Sequence, residues 1–147
     1  MTKILIKRLS KEVSLPKYET KGSSGMDLAA NIETNVNLDP GKSAIIPTGL
    51  MVAIPEGFEI QIRPRSGLAA KKNISVLNTP GTIDADYRGE IKVILINHGS
   101  NNFEVTNKMR IAQMVVSKYE KVNFKLVTDL NATKRGSGGF GSTGTNW

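Results

Sequence analysis

An all-β sandwich or barrel is the fold this sequence predicts. Three observations point there: apolar residues recur with a period close to two, clusters of Pro, Gly, Asp and Asn interrupt them at short intervals, and only one stretch suits a helix. In chain order, Ile4 and Ile6 alternate with Leu5 and Lys7, the pattern of a half-buried strand. Ser43–Ile46 and Leu50–Ile54 are rich in residues that favour strands and read as two strands, with Pro47-Thr48-Gly49 as the turn between them. Phe58, Ile60 and Ile62 alternate with Glu59, Gln61 and Arg63, giving another strand with one polar face. Ser66–Lys72 is the helical stretch, about two turns long. Glu90–Ile96, Arg110–Val116 and Asn123–Val127 complete the strands, and further turns fall at Asp39–Gly41, Pro55–Gly57, Thr79–Gly81 and His98–Asn102.

Composition removes many chemistries. The chain has 147 residues, the size of one ordinary domain, with no Cys and one His, His98, which sits in a turn and is assigned no role. Thiol nucleophiles, Cys-bearing zinc sites, Ser-His triads and Cys-His dyads are therefore excluded. Chemistry must run on carboxylates, hydroxyls, amides and cations. The excess of 20 Lys and Arg over 13 Asp and Glu, a net charge of +7, favours an anionic partner: a phosphorylated small molecule, a nucleic acid or a membrane surface. Eight aromatic residues scattered along the chain form no stacking platform, which counts against a single-strand nucleic-acid binder. Residues 1–9 break their apolar positions with Lys and Arg, so they read as neither signal peptide nor membrane span, and a cytoplasmic location without membrane attachment is expected.

Residues 131–147 hold five of the fourteen glycines, with Phe140 and Trp147 as the only large apolar side chains. Such a segment cannot bury enough surface to fold alone. It reads either as a disordered tail or as a mobile clamp, since Phe140 stands among backbone N–H groups and hydroxyls. Gly136–Gly141 formally matches G-x-G-x-x-G, but no strand precedes it closely and too few residues follow for a helix, so a dinucleotide fold is excluded, as is a P-loop. The remaining property of the segment is its capacity to form nests of N–H donors, supplemented by Arg135, Ser142 and Thr143.

Three further constellations carry polar groups. Arg63–Gly67 closes a strand and opens the helix, where Ser66 reads as the N-cap and, with the free N–H groups, as a phosphate donor or simply a cap. Asp84, Asp86, Arg88 and Glu90 share one face if their segment is extended, which suits a metal, a general base or a solvated hairpin with cross-strand ion pairs. Gln113 interrupts an apolar strand, either as a core hydrogen bond or as an inward ligand contact.

Taken together, five segments resemble the motifs of the trimeric dUTP pyrophosphatases (dUTPases) in order: Gly25–Leu28, Pro64–Leu68, Gly81–Gly89, Arg110–Gln113 and Arg135–Gly144. They span nearly the whole chain. Met26 departs from the aromatic or other residue that many relatives carry before the Asp, a difference of packing rather than chemistry.

The resemblance implies a β jelly-roll (β-clip) barrel with one short helix over residues 1–130. Residues 131–147 are then a flexible Gly-rich arm that closes over the active site of a homotrimer with shared sites. It implies hydrolysis of dUTP to dUMP and pyrophosphate, which supplies dUMP for thymidylate synthesis and keeps uracil out of DNA. Asn78 and the backbone of Gly81, Thr82, Ile83 and Asp84 would bind the uracil edge, Tyr87 would pack on the deoxyribose, and Phe140 would stack on the base. Arg65, Ser66, Gly67, Gln113, Arg135, Gly141, Ser142 and Thr143 would hold the triphosphate. Asp84 would be the general base, with Gln113 and Ser66 as further catalytic residues and Asp86 structural. Mg²⁺ would be the cofactor, held through substrate phosphates and water with no protein ligand. Two alternatives are a dCTP deaminase of the same superfamily, disfavoured by the complete fifth motif, and a basic β-barrel that binds nucleic acid. Stable nucleic-acid binding is not expected.

Overall fold

Strand-forming stretches among the described residues pair in antiparallel fashion, and the paired strands carry the core. The computed structural model describes residues 2–146; Met1 and Trp147, which begin and end the two expected segments, lie outside the described residues. One four-stranded sheet is ordered β1 (Leu5–Arg8), β4 (Ser43–Ala53), β8 (Glu90–Asn97) and β6 (Ile74–Val76). A second is ordered β2 (Gly25–Ala29), β10 (Arg110–Lys118), β5 (Phe58–Arg63) and β7 (Gly81–Ile83). β3 (Val36–Leu38) and β9 (Phe103–Val105) form a two-stranded ribbon, and α1 (Ser66–Lys72) is the one helix. The all-β jelly-roll with a single short helix is the fold expected from the sequence.

Period-two alternation places Ile91, Val93 and Leu95 of β8 inside, against Ile46, Leu50 and Val52 of β4 and Ile60 and Ile62 of β5, all buried. Each such side chain contributes roughly 1.5–3 kcal/mol on leaving water. On the opposite face of β5 the expected polar row is present: Gln61 Nε2 donates to Glu59 Oε1 at 2.7 Å and Arg63 Nη2 to Gln61 Oε1 at 2.7 Å.

Two expectations are corrected. Pro47-Thr48-Gly49 is a bulge inside one continuous strand, β4, rather than a turn between two. The pairing with β8 jumps from Pro47 opposite Lys92 to Met51 opposite Glu90. The extra residues are held by the buried Thr48 hydroxyl, which donates to Ile91 O at 2.6 Å, and by Gly49 N–H, which donates to Glu90 Oε1 at 2.8 Å. Gly49 has a φ of +71°, and a methyl group there would sit 2.7 Å from Val13 Cγ2. The second correction concerns Asn123–Val127, which forms no strand. None of the described strands pairs with it, and Phe124 and Leu126 are 97% and 98% exposed. Regular structure ends at Lys118, and residues 119–146 contain neither strand nor helix.

The far end of β8 is locked by a buried amide. Asn97 Nδ2 donates to Leu38 O and Asn101 O, each at 2.8 Å, and its Oδ1 accepts Gly99 N–H at 2.8 Å. Its amide nitrogen and oxygen are thus both hydrogen-bonded, as burial requires. No helix among the described residues is long and apolar enough to cross a membrane.

Candidate active site

The site residues fall into three groups. The first is a corner where β2, β10 and the start of α1 meet. Asp27 and Gln113 are directly opposed in the β2–β10 register. Asp27 accepts Arg65 Nε on Oδ1 at 2.9 Å and Arg110 Nη1 on Oδ2 at 3.0 Å, so one carboxylate bridges two guanidinium groups. Arg65 Nη1 also donates to Arg110 O at 3.2 Å. The β2–β10 pairing shifts between Arg110 and Ala112, and such a bulge re-aims the side chain at a strand end. Neither Asp27 nor Arg110 was assigned a role from the sequence, although both lie in motif segments. The signal was their charge complementarity, which becomes visible only when the two strands are paired.

Gln113 belongs to the same corner. Its Nε2 donates to Pro64 O at 2.9 Å, and its Oε1 lies over Gly25, where a methyl group would overlap it. Gln113 is thus anchored by a hydrogen bond and is half-buried, so it is not a fully buried core amide. Ser66 and Gly67 are exposed at the first turn of α1. Ser66 is not the N-cap. The helix opens with Ala69 N–H donating to Arg65 O at 3.0 Å, which makes Arg65 the cap, and no side chain caps that end.

The second group is the Asp84–Glu90 segment, which turns instead of running extended. Tyr87 N–H donates to Asp84 O at 3.2 Å, and Arg88 Nη1 braces the turn on Ala85 O at 2.7 Å and Tyr87 O at 3.0 Å. The four charged side chains thus do not share one face. Asp84 and Asp86 border a cleft of about 570 Å³ together with Glu56, Arg88 and Lys121. Asp84 also borders a second cleft of about 430 Å³, with Asn78, Thr82, Ile83, Tyr87 and Glu90. Gly81 lies beside Asn78, where a methyl group would come 3.2 Å from the Asn78 amide nitrogen. No cluster of three or more Asp, Glu, His or Cys among the described residues is placed to hold a metal ion.

The third group is the C-terminal segment. It runs through successive turns, with Gly138 N–H on Arg135 O at 3.1 Å, Ser142 N–H on Gly139 O at 3.0 Å and Gly144 N–H on Gly141 O at 2.9 Å. Arg135 Nε donates to Gly138 O at 2.8 Å. Phe140 is fully exposed with a φ of +49°, and Gly141, Ser142 and Thr143 are exposed beside it. Among the described residues no hydrogen bond or ion pair joins the three groups to one another.

The family model described as dUTPase matches residues 11–144. The chain belongs to the dUTPase family. Among curated relatives in the family, the deoxyuridine 5'-triphosphate nucleotidohydrolase of Rhizobium rhizogenes is 58% identical over 134 residues, covering 90% of this chain and 86% of that protein. The protein of the same name from Rickettsia bellii is 57% identical over 145 residues, covering 98% and 97%. Among solved structures of the family, the dUTPase of Staphylococcus bacteriophage 80alpha with dUpNHpp superimposes with a TM-score of 0.88 at 26% identity, covering 99% of this chain and all of that one.

Proposed function

We propose that this chain is a cytoplasmic dUTP diphosphatase that hydrolyses dUTP to dUMP and pyrophosphate, supplying dUMP and removing a precursor of uracil in DNA. The observation that carries this reading is the position of Asp84, an exposed carboxylate on the wall of the cleft bordered by Asn78, Thr82 and Tyr87. Asn78 and the backbone of residues 81–84 read the uracil edge by hydrogen bonds, and Tyr87 lies under the deoxyribose.

Asp84 takes a proton from water as the oxygen attacks the α-phosphorus, with Gln113 orienting that water. The bond from the α-phosphorus to the bridging oxygen breaks, and pyrophosphate leaves with its electron pair. The corner of Arg65 and Arg110, with Ser66, Gly67 and the hydroxyls of Ser142 and Thr143, meets the charge of the triphosphate, where phosphoryl-transfer catalysis mostly resides. These donors are cations, amides and hydroxyls, a set that fits Mg²⁺ carried in on phosphate oxygens and water rather than a protein cage. When bound, Mg²⁺ supplies charge neutralisation on those oxygens.

The arm from residue 131 closes over the site, with Phe140 stacked on the base and Arg135 on the phosphates. Among the described residues no hydrogen bond or ion pair joins cleft, arginine corner and arm; on this reading a complete site draws on neighbouring copies, and the active species is a trimer of about 48 kDa, three times the 16.0 kDa chain. The deciding experiment is pyrophosphate release from dUTP compared with dTTP, dCTP and UTP, run alongside light scattering. Release from dUTP alone by a trimer supports the reading, whereas an inactive protein, ammonia release from dCTP, or a stable active monomer refutes it.

A further inference from the structure

Tyr87 is held at its ring and at its hydroxyl as well as through its backbone. Its ring lies across Gly89, where a methyl group would overlap Oη and Cζ and stand 2.9 Å from Cε2. Its hydroxyl donates to Glu90 O at 3.0 Å. Glu90 is in turn fixed at both ends: it opens β8, and its carboxylate accepts the Gly49 N–H of the β4 bulge at 2.8 Å. The next residue is gripped as well, since Ile91 O accepts the Thr48 hydroxyl at 2.6 Å. The bulge has little room to shift, because Gly49 packs against Val13 and Asn31 in a conformation that other residues rarely adopt. Tyr87 itself is 43% exposed and borders the same 430 Å³ cleft as Asp84.

We infer that Gly89 and Glu90 are the positioning residues that set the selection of deoxyribose over ribose, with the β4 bulge as their support. The inference rests on the proposed reading in which Tyr87 lies under the sugar. A ring can exclude a 2′-hydroxyl only if it does not yield, since a loosely held aromatic side chain swings to another rotamer and admits the extra atom. An apolar surface by itself rejects an added hydroxyl only by about 10². Gly89 supplies the bare backbone that lets the ring lie flat, and Glu90 holds the hydroxyl end. The carboxylate of Glu90, counted at first with the acidic face of this segment, faces the bulge instead and serves as an anchor.

The test is the ratio of kcat/KM for dUTP to that for UTP in Gly89→Ala, Glu90→Ala, Glu90→Gln and Tyr87→Ala. Gly89→Ala is expected to lower the ratio by about tenfold or more, with dUTP turnover retained. Glu90→Ala lowers it as well, while Glu90→Gln keeps the wild-type ratio because its amide oxygen still accepts the Gly49 N–H. That rescue distinguishes positioning from general damage to the fold. If Gly89→Ala does not fold by circular dichroism, Tyr87→Phe decides: it removes only the hydroxyl of a partly exposed side chain, and a lowered ratio supports the inference. A wild-type ratio in Gly89→Ala, or in Tyr87→Phe where that variant decides, overturns it. If Tyr87→Ala relaxes the ratio while Gly89→Ala and Glu90→Ala do not, the inference fails but the reading of Tyr87 stands. If Tyr87→Ala also leaves the ratio unchanged, the reading of Tyr87 fails with it.

Discussion

On the proposed reading of Gln113, Gly25→Ala should separate catalysis from stability in one substitution. The new methyl group would overlap Gln113 Oε1 and stand 3.2 Å from Cδ, so the amide must move aside by something on the order of 1 Å. What yields is the far end of a flexible side chain, not backbone. The stability lost is therefore little more than the hydrogen bond from Nε2 to Pro64 O, about 0.5–1.5 kcal/mol, equivalent to a Tm lower by roughly 1–6 °C for a chain of this size. Turnover should fall much further. A group displaced by about 1 Å from its working position costs on the order of 10² in rate. The assay is steady-state pyrophosphate release from dUTP over a range of concentrations, with thermal unfolding followed on the same preparations. A large drop in kcat with a small change in KM and Tm is the expected result. Wild-type kcat in a folded Gly25→Ala protein would refute the role given to Gln113, and a collapse of Tm would refute the claim that the side chain alone gives way.

Asp84→Asn should lower kcat by about 10²–10⁴ with affinity for dUpNHpp nearly unchanged, measured by calorimetry; undiminished turnover would remove Asp84 as the base. Asp27→Ala frees both guanidinium groups and should cost about 1–2 kcal/mol in denaturant unfolding, since Arg110 is 55% exposed and its share is screened, and KM for dUTP should rise. Gly49→Ala places a side chain at positive φ against Val13 and Asn31 and should cost about 2 kcal/mol or more, read as a lowered Tm. Trypsin cleavage at Lys134 and Arg135 should slow when dUpNHpp and Mg²⁺ are present, and Phe140→Ala should lower kcat/KM about tenfold, a stacking contribution of roughly 1–3 kcal/mol. Equal cleavage with and without the analogue would leave the arm a plain disordered tail.

The long strands were legible because alternation writes burial directly into the residue order, as Ile91, Val93 and Leu95 do in β8. β3, β6, β7 and β9 have three residues each, too few for any period to register. The β4 bulge was read as a turn because both use a Pro and a glycine at positive φ, and only the partner strand tells them apart. Asn123–Val127 has strand composition but no described partner strand, and composition does not report partners. The Asp84–Glu90 face dissolved because a backbone bond to Asp84 O and the Arg88 side chain on Ala85 O close a turn that period-two reasoning does not anticipate. Asp84, Tyr87 and Gln113 are proposed site residues that motif resemblance and local chemistry single out from the sequence. Asp27, Arg110 and Glu90 make side-chain contacts with residues brought near only by folding, and a linear reading passes over such dependence.

The carboxylate of Asp27 also bears on how ionic strength acts at the arginine corner. Two guanidinium groups left alone would gather anions from the medium, and an arriving triphosphate would have to release them, which makes affinity fall steeply with added salt. With Asp27 in place, part of that neutralisation is built into the protein, and the corner offers one net positive charge instead of two. On the proposed reading, dUTP binding at this corner depends only weakly on ionic strength, and the dependence steepens when Asp27 is removed.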